Sequence, residues 1–256
     1  MLEARRLVKQ YFGITAVNDV SFVVRPGEVV GYLGPNGSGK STTARLVTGL
    51  TEPTRGTVWF DGADIASDPI AYRRRLGYVP EEAHLYPFLS GREYLEFVGR
   101  LRALPPALLE RNIGDLLELF GLTGATEQSI ASYSKGMKQK VLIAAALLHD
   151  PDFLIFDEPE SGLDVTTSLV LRHLVKALAG RGKAILYSSH ILEVVERVCD
   201  RVIVLHHGKV VADDSVAELR VLMASRSLEE VFAQLVMHVD PEKTANDIAA
   251  VVARHA

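Results

Sequence analysis

Apolar residues near the start of the chain come in short β-branched stretches. Residues 5–8 and 20–24 alternate, and the second stretch meets an Arg25-Pro26-Gly27 turn. Residues 29–33 form a brief apolar run ending in a glycine-rich loop, the pattern of a buried strand feeding that loop. Residues 57–60, closed by Asp61-Gly62, and residues 77–79 are further strand candidates. From Ser90 onward the spacing becomes helical. Ser90 and Glu93 stand at capping-box separation ahead of Leu95, Phe97, Val98 and Leu101. Pro105-Pro106 breaks that helix. A second helix carries Leu108, Leu109, Ile113, Leu116, Leu117 and Phe120 and ends at Gly121, and a third covers about residues 134–149.

Strand character returns at residues 153–156 and 184–187. A helix is expected over 191–198, then a strand pair, 201–205 and 209–212, around Gly208. Strands alternating with helices predict an α/β core with a parallel sheet and an antiparallel edge. The helical block, about residues 85–149, interrupts this core (about 1–84 and 150–215) and is expected to form its own subdomain. Beyond it, residues 216–256 read as a helical tail with Leu228, Val231, Phe232 and Leu235 at helical spacing. That tail is expected to pack or dock, and to move near its end.

The 256 residues suffice for one large domain with an appended lobe, and 48% of them are apolar. With 28 Lys and Arg against 32 Asp and Glu, no basic excess invites nucleic acid, so partners are sought among small molecules and proteins. The lone Cys199 cannot form an intrachain disulfide and reads as a small buried apolar side chain. The N-terminus lacks the apolar stretch of a secretory signal. The longest uninterrupted apolar run, residues 141–148, is far below the roughly 18–20 needed to span a bilayer. A cytoplasmic location is expected, with any membrane role exercised through a partner.

Gly34-Pro35-Asn36-Gly37-Ser38-Gly39-Lys40-Ser41, followed by Thr42, fits the P-loop pattern and sits between a strand and a helix start. Its glycines let successive backbone N–H groups turn toward phosphate oxygens, and the helix N-terminus adds partial positive charge. Lys40 is expected to reach the β- and γ-phosphates of ATP, and the Ser41 hydroxyl to ligate Mg²⁺. Four apolar residues then lead into Asp157-Glu158. Asp157 is suited to the Mg²⁺ shell and Glu158 to activating water. Adjacent acids alone usually mark a solvated strand end; the P-loop upstream makes them a candidate catalytic pair.

Together with further motifs, these residues resemble the ABC ATPases from about Leu7 to Leu219. Tyr133-Ser134-Lys135-Gly136-Met137 is similar to the ABC signature, most often Leu-Ser-Gly-Gly-Gln. Residues 158–164 resemble the Walker B exit and D-loop, Ser188-Ser189-His190 the H-loop, and Tyr11 the aromatic residue that stacks on adenine. The resemblance implies a P-loop NTPase (RecA-like) core with an antiparallel β-subdomain and an inserted helical signature subdomain. It implies that Ser134 and Gly136 contact the γ-phosphate held by a second copy, that His190 contacts that phosphate within its own site, and that Asp164 crosses the interface. Read alone, Ser134 is a helix N-cap. ATP and Mg²⁺ are the expected ligands, with no other metal; the adjacent His206 and His207 read as a turn.

Two positions depart from the family pattern. Tyr78-Val79-Pro80 is followed by Glu81 where the family usually has Gln, which adds negative charge beside the triphosphate and predicts altered metal dependence. Tyr133 and Lys135 replace Leu and Gly, and Lys135 places a cation at a helix start, against the dipole but attractive to phosphate. This signature form, and residues 227–232, resemble ATPase subunits paired with ABC-2-type exporter permeases. That implies export of a drug-like, lipid or polysaccharide substrate, with the subunit peripheral on the inner membrane face. Leu85, Tyr86, Pro87 and Phe88 form an apolar cluster suited either to receive a permease helix or to pack in the core. An importer subunit, a soluble ABC protein acting on ribosomes or DNA, and an ATP-gated module without turnover are the rival readings.

Overall fold

The computed structural model describes residues 1–82, 84–222 and 227–236. Its first elements are β1 (Leu2–Tyr11), β2 (Ile14–Val24), β3 (Val29–Leu33), α1 (Lys40–Val47), β4 (Arg55–Phe60), β5 (Ala63–Asp64), α2 (Pro69–Arg74) and β6 (Leu76–Val79). A helical block follows, α3 (Gly91–Leu101), α4 (Pro106–Leu119) and α5 (Lys135–Leu147), with short 3₁₀ turns at Thr123–Ala125 and Ile130–Ser132. The chain returns to the sheet with β7 (Phe153–Asp157), α6 (Val165–Gly180), β8 (Ala184–Ser188), α7 (Leu192–Val198), β9 (Arg201–His206) and β10 (Lys209–Ser215). It then continues through α8 (Val216–Leu222) and α9 (Leu228–Val236). The rest of the expected tail, residues 223–226 and 237–256, lies outside the described residues.

A four-stranded sheet runs β2-β1-β4-β5, with every pairing antiparallel. β1 and β2 are longer than their alternation predicts because bulges break it. The register shifts between Ala4 and Leu7 and twice more before the hairpin tip, with Arg6 at φ 50° in the first bulge. The six-stranded sheet runs β10-β9-β3-β8-β7-β6, parallel throughout except for β10 at its edge. β10 extends three residues past its predicted end, pairing Asp213 and Asp214 with Ile203 and Val202.

β3, β7 and β8 are buried along their whole length, as strands covered on both faces must be. One core lies between the two sheets, where Phe22 packs on Tyr32 and Phe60 on Phe153. The other joins the parallel sheet to the helices. Within it, α5 is buried from Val141 to Ala146, a stretch apolar on every side and enclosed accordingly. The capping box at α3 is present, with the Ser90 side chain accepting from Glu93 and the Glu93 carboxylate from Ser90. Leu228 and Val231 of α9 are fully buried in the same core as Val194 and Val198. No helix among the described residues is long and apolar enough to cross a membrane. In a parallel sheet of this kind, ligands bind beyond the carboxyl ends of the strands. β3, β7 and β8 deliver their next residues there.

Candidate active site

The loop after β3 turns into α1 through Gly39, at φ 104°. A Cβ at that position would lie 2.5 Å from the Ala16 carbonyl oxygen, so only glycine fits. Lys40 folds back on the loop, donating to the Gly34 carbonyl at 2.6 Å and the Pro35 carbonyl at 3.2 Å. Burial lowers its pKa, and the nearby Glu158, Asp157 and Glu81 oppose that shift. The Ser38 hydroxyl is buried without a hydrogen-bond partner among the described residues.

At the end of β7 the Asp157 carboxylate is buried and accepts a hydrogen bond from the Ser188 hydroxyl. Burial raises its pKa above the usual carboxylate range, against the pull of Ser188 and Lys40. Glu158 takes φ 49°, a strained conformation for a residue with a side chain. Its N–H is shared between the Ser188 carbonyl at 3.2 Å and hydroxyl at 3.3 Å. One Glu158 carboxylate oxygen lies 2.7 Å from His190 Nδ1.

Lys40, Asp157, Glu158 and His190 line a cavity of about 720 Å³ together with Gly34, Pro35, Asn36, Gly37, Gly39, Ser41, Thr42, Glu81, Leu192 and Phe232. That volume is typical of a small-ligand site. A half-buried lysine, a turned glycine loop and a helix N-terminus make it receptive to polyphosphate. Carboxylate and hydroxyl oxygens beside them suit a hard divalent cation.

Five expected residues lie outside the described wall, among them Ser38, which is buried within the loop. Tyr11 ends β1, partly exposed, with the Lys9 ammonium 5.1 Å from its ring centroid. Ser134 caps α5, its hydroxyl accepting from the Met137 N–H at 3.2 Å. Gly136 packs against the backbone of Gly162, whose carbonyl oxygen would be 2.7 Å from a Cβ at 136. Asp164 caps α6, accepting from the Thr167 N–H at 2.9 Å and the Thr167 hydroxyl at 2.7 Å.

Several contacts around the site are not given by the motifs that contain or flank their residues. Ser188 stands opposite Asp157 in the β7–β8 register, so its role emerges only once the strands pair. Glu160 accepts both guanidinium bonds of Arg172, at 2.8 and 2.7 Å, and the Tyr187 hydroxyl at 2.9 Å. The buried Gln139 amide donates to the Pro159 carbonyl at 3.0 Å. Tyr133, in the position usually held by leucine, is buried; its hydroxyl donates to the Ala125 carbonyl at 2.6 Å and accepts from the Gly91 N–H at 3.3 Å.

A family model described as ABC transporter matches residues 17–161, more than half of the chain. The chain belongs to the ABC transporter family. The ABC transporter ATP-binding protein NatA of Bacillus subtilis (strain 168) is 39% identical over 230 residues, 90% of this chain and 94% of NatA. The daunorubicin/doxorubicin resistance ATP-binding protein DrrA of Streptomyces peucetius is 36% identical over 227 residues, 89% of this chain and 69% of DrrA. The dimeric post-hydrolysis structure of the ATP-binding cassette MJ0796, bound to ADP and Pi, superposes with a TM-score of 0.77 at 26% identity, over 84% of this chain and 98% of that one. This ABC subunit accordingly has the P-loop NTPase fold, binds ATP and hydrolyses it.

Proposed function

We propose that two copies of this ABC ATPase close around two MgATP and so drive a separate membrane permease of the ABC-2 type, working as an exporter of drug-like, lipid or polysaccharide molecules. The observation that carries this reading is the convergence of Lys40, Asp157, Glu158 and His190 on one cavity, with Glu158 and His190 2.7 Å apart. Residues 34–42 hold the triphosphate, and Lys40 exchanges its two carbonyl contacts for the β- and γ-phosphates. Ser41, Asp157 and Glu81 are the oxygen donors that would hold Mg²⁺; when bound, the ion neutralises phosphate charge. Glu158 accepts a proton from the attacking water, and His190 supports the γ-phosphate. Tyr11 offers its ring to adenine.

Ser134, Gly136 and Asp164 lie away from the cavity of their own chain, which suits a role toward the nucleotide of a second copy. ATP then favours the paired state because only there does it meet both the P-loop and the opposite α5 N-terminus. The outward-facing Val165 and Leu169 beside Asp164 support a face built for pairing. The MJ0796 dimer with ADP and Pi supports the same arrangement.

In this reading the catalytic core comprises residues 1–84 and 150–215, the helical subdomain 85–149 and the tail 216–256. Tyr86 and Phe88 are 55% and 91% exposed, and the Tyr86 ring meets Phe97 edge-on at 5.7 Å. This apolar surface is suited to a permease helix, which would place the subunit on the inner membrane face. The name of DrrA, a drug-resistance protein, supports export.

The deciding experiment is light scattering of Glu158→Gln protein, which is expected to pair on saturating MgATP and to have lost turnover. A chain that stays single under those conditions, even beside its permease, overturns the proposal. Loss of copurification with the permease in Phe88→Asp tests the docking surface, and retention rejects it.

A further inference from the structure

Lys135 stands in the first turn of α5, where a cation opposes the helix dipole. Its ammonium turns to the loop that follows Glu158, donating to the Ser161 hydroxyl at 2.7 Å within the same chain. Its stem lies across Gly162, where a Cβ would sit 2.7 Å from Lys135 Cγ and 2.8 Å from Cδ, and Gly162 takes φ 81°. The neighbouring Gly136 meets the same glycine's carbonyl, and one turn further on Gln139 holds the Pro159 carbonyl from a buried position. The start of α5 thus grips residues 159–162, the segment between Glu158 and the Asp164 cap.

We propose that Lys135 is a positioning residue, a same-chain clamp through which contact of Ser134 and Gly136 with the nucleotide of one copy sets the Glu158 carboxylate of the other site. This inference rests on the paired-copy reading above. In the separate chain the Lys135–Ser161 bond is exposed and contributes little. When two faces meet around ATP, water leaves the contact and the charge-assisted bond strengthens. The clamp therefore acts on cooperativity between sites more than on folding of one chain.

The test compares Lys135→Met, Lys135→Arg, Ser161→Ala and the Lys135→Met/Ser161→Ala double variant in the full chain. The readouts are the Hill coefficient and kcat of ATP hydrolysis, and MgATP affinity of the separate chain. Methionine keeps the stem on Gly162 and deletes the donor, whereas arginine keeps a donor. Hill coefficients reach at most the number of sites, about 2 for a pair. Lys135→Met and Ser161→Ala are each expected to bring the coefficient to about 1 and lower kcat roughly 3–10-fold, the double variant to be no worse than either, and Lys135→Arg to keep most cooperativity. MgATP affinity of the separate chain is expected to change less than twofold.

A silent Ser161→Ala beside a damaging Lys135→Met overturns the clamp, because Lys135 then works on another partner such as the opposite phosphate. Additive losses, or wild-type cooperativity in all variants, overturn it as well. Failure of Glu158→Gln to pair while Lys135 and Ser161 are intact is a separate result, and it removes the paired-copy reading itself.

Discussion

His190 Nδ1 lies 2.7 Å from a carboxylate oxygen of Glu158 and joins the chain ends that leave β8 and β7. The carboxylate can only accept, so Nδ1 carries the proton, and Nε2 remains for a second partner. The imidazole thereby orients the proposed base and leaves its other nitrogen for phosphate. Replacing His190 with alanine is expected to lower kcat by about 10²–10³-fold, the scale of one lost electrostatic or acid–base group. MgATP affinity should move far less. Steady-state turnover with equilibrium nucleotide binding checks this, and an unchanged kcat rejects the role.

Asp157 is the reverse case, a residue whose burial works against the nucleotide-free fold. Its pKa is raised, first by burial, so protonation is favoured on folding and its contribution is complete below the unfolded pKa. That contribution is lost as pH rises through the folded pKa, above which the fold holds an ionised carboxylate that burial disfavours. Asp157→Asn keeps an acceptor for Ser188, so the melting temperature without nucleotide is expected to hold or rise. A ligand at 100 times its Kd adds about 2.7 kcal/mol of stability, or roughly 5–10 °C for a chain of this size. Differential scanning fluorimetry should show that gain with MgATP in the wild type, and no Mg²⁺ dependence in Asp157→Asn.

Glu81 follows β6 and lines the cavity where the family usually has glutamine. A third carboxylate near Lys40 and Asp157 strengthens cation attraction and repels the triphosphate when metal is scarce. Glu81→Gln is expected to shift the Mg²⁺ titration of ATPase activity by about threefold or more while activity persists. An unmoved titration rejects the assignment.

The P-loop and the Asp157-Glu158 pair were legible because each is contiguous, and glycine, lysine or carboxylate residues keep their meaning wherever the fold puts them. α6 was not read as a helix. Val165, Leu169 and Val170 are apolar yet exposed, while Ser168, Leu171, Val175 and Ala179 form the buried stripe, so the helical period is blurred. The family resemblance assigns Asp164 to an interface; its capping of α6 depends on a helix whose period the sequence blurs. β1 and β2 were seen only in part because bulges interrupt the two-residue alternation. Ser188 is legible within the Ser188-Ser189-His190 motif, but its bond to Asp157 depends on the β7–β8 register. The Gln139 bond depends on packing, and no local pattern records either contact.

Tyr133 was legible as a departure but not as a tie. Its hydroxyl bridges the Gly91 N–H and the Ala125 carbonyl; a leucine would leave the Gly91 N–H without that acceptor, while the Ala125 carbonyl keeps the Gln128 N–H at 3.0 Å. A Cβ at Gly91 would lie 2.7 Å from that hydroxyl, so the glycine makes room for it. Tyr133→Phe is expected to destabilise the chain by about 1–3 kcal/mol, the range for stranding buried polar groups, with MgATP affinity kept. Urea unfolding checks the first point and nucleotide titration the second.

His149 predicts the acid behaviour of the joint between α5 and the parallel sheet. Its Nε2 donates to the Leu76 carbonyl at 3.0 Å, which leaves Nδ1 buried with no hydrogen-bond partner among the described residues. Burial, then the nearby Arg102 guanidinium, push its pKa down from 6.5 to about 4. Between those values the unfolded chain binds a proton that the folded chain refuses, so stability rises with pH across that window. The contribution is complete above pH 6.5 and is lost as pH falls toward 4. His149 keeps partial exposure, and with that screening the loss is about 1–2 kcal/mol. His149→Gln retains a donor for Leu76 but cannot titrate. Its urea midpoint is expected to fall less than that of the wild type between pH 7 and 4.5, and parallel pH profiles for the two proteins overturn the assignment.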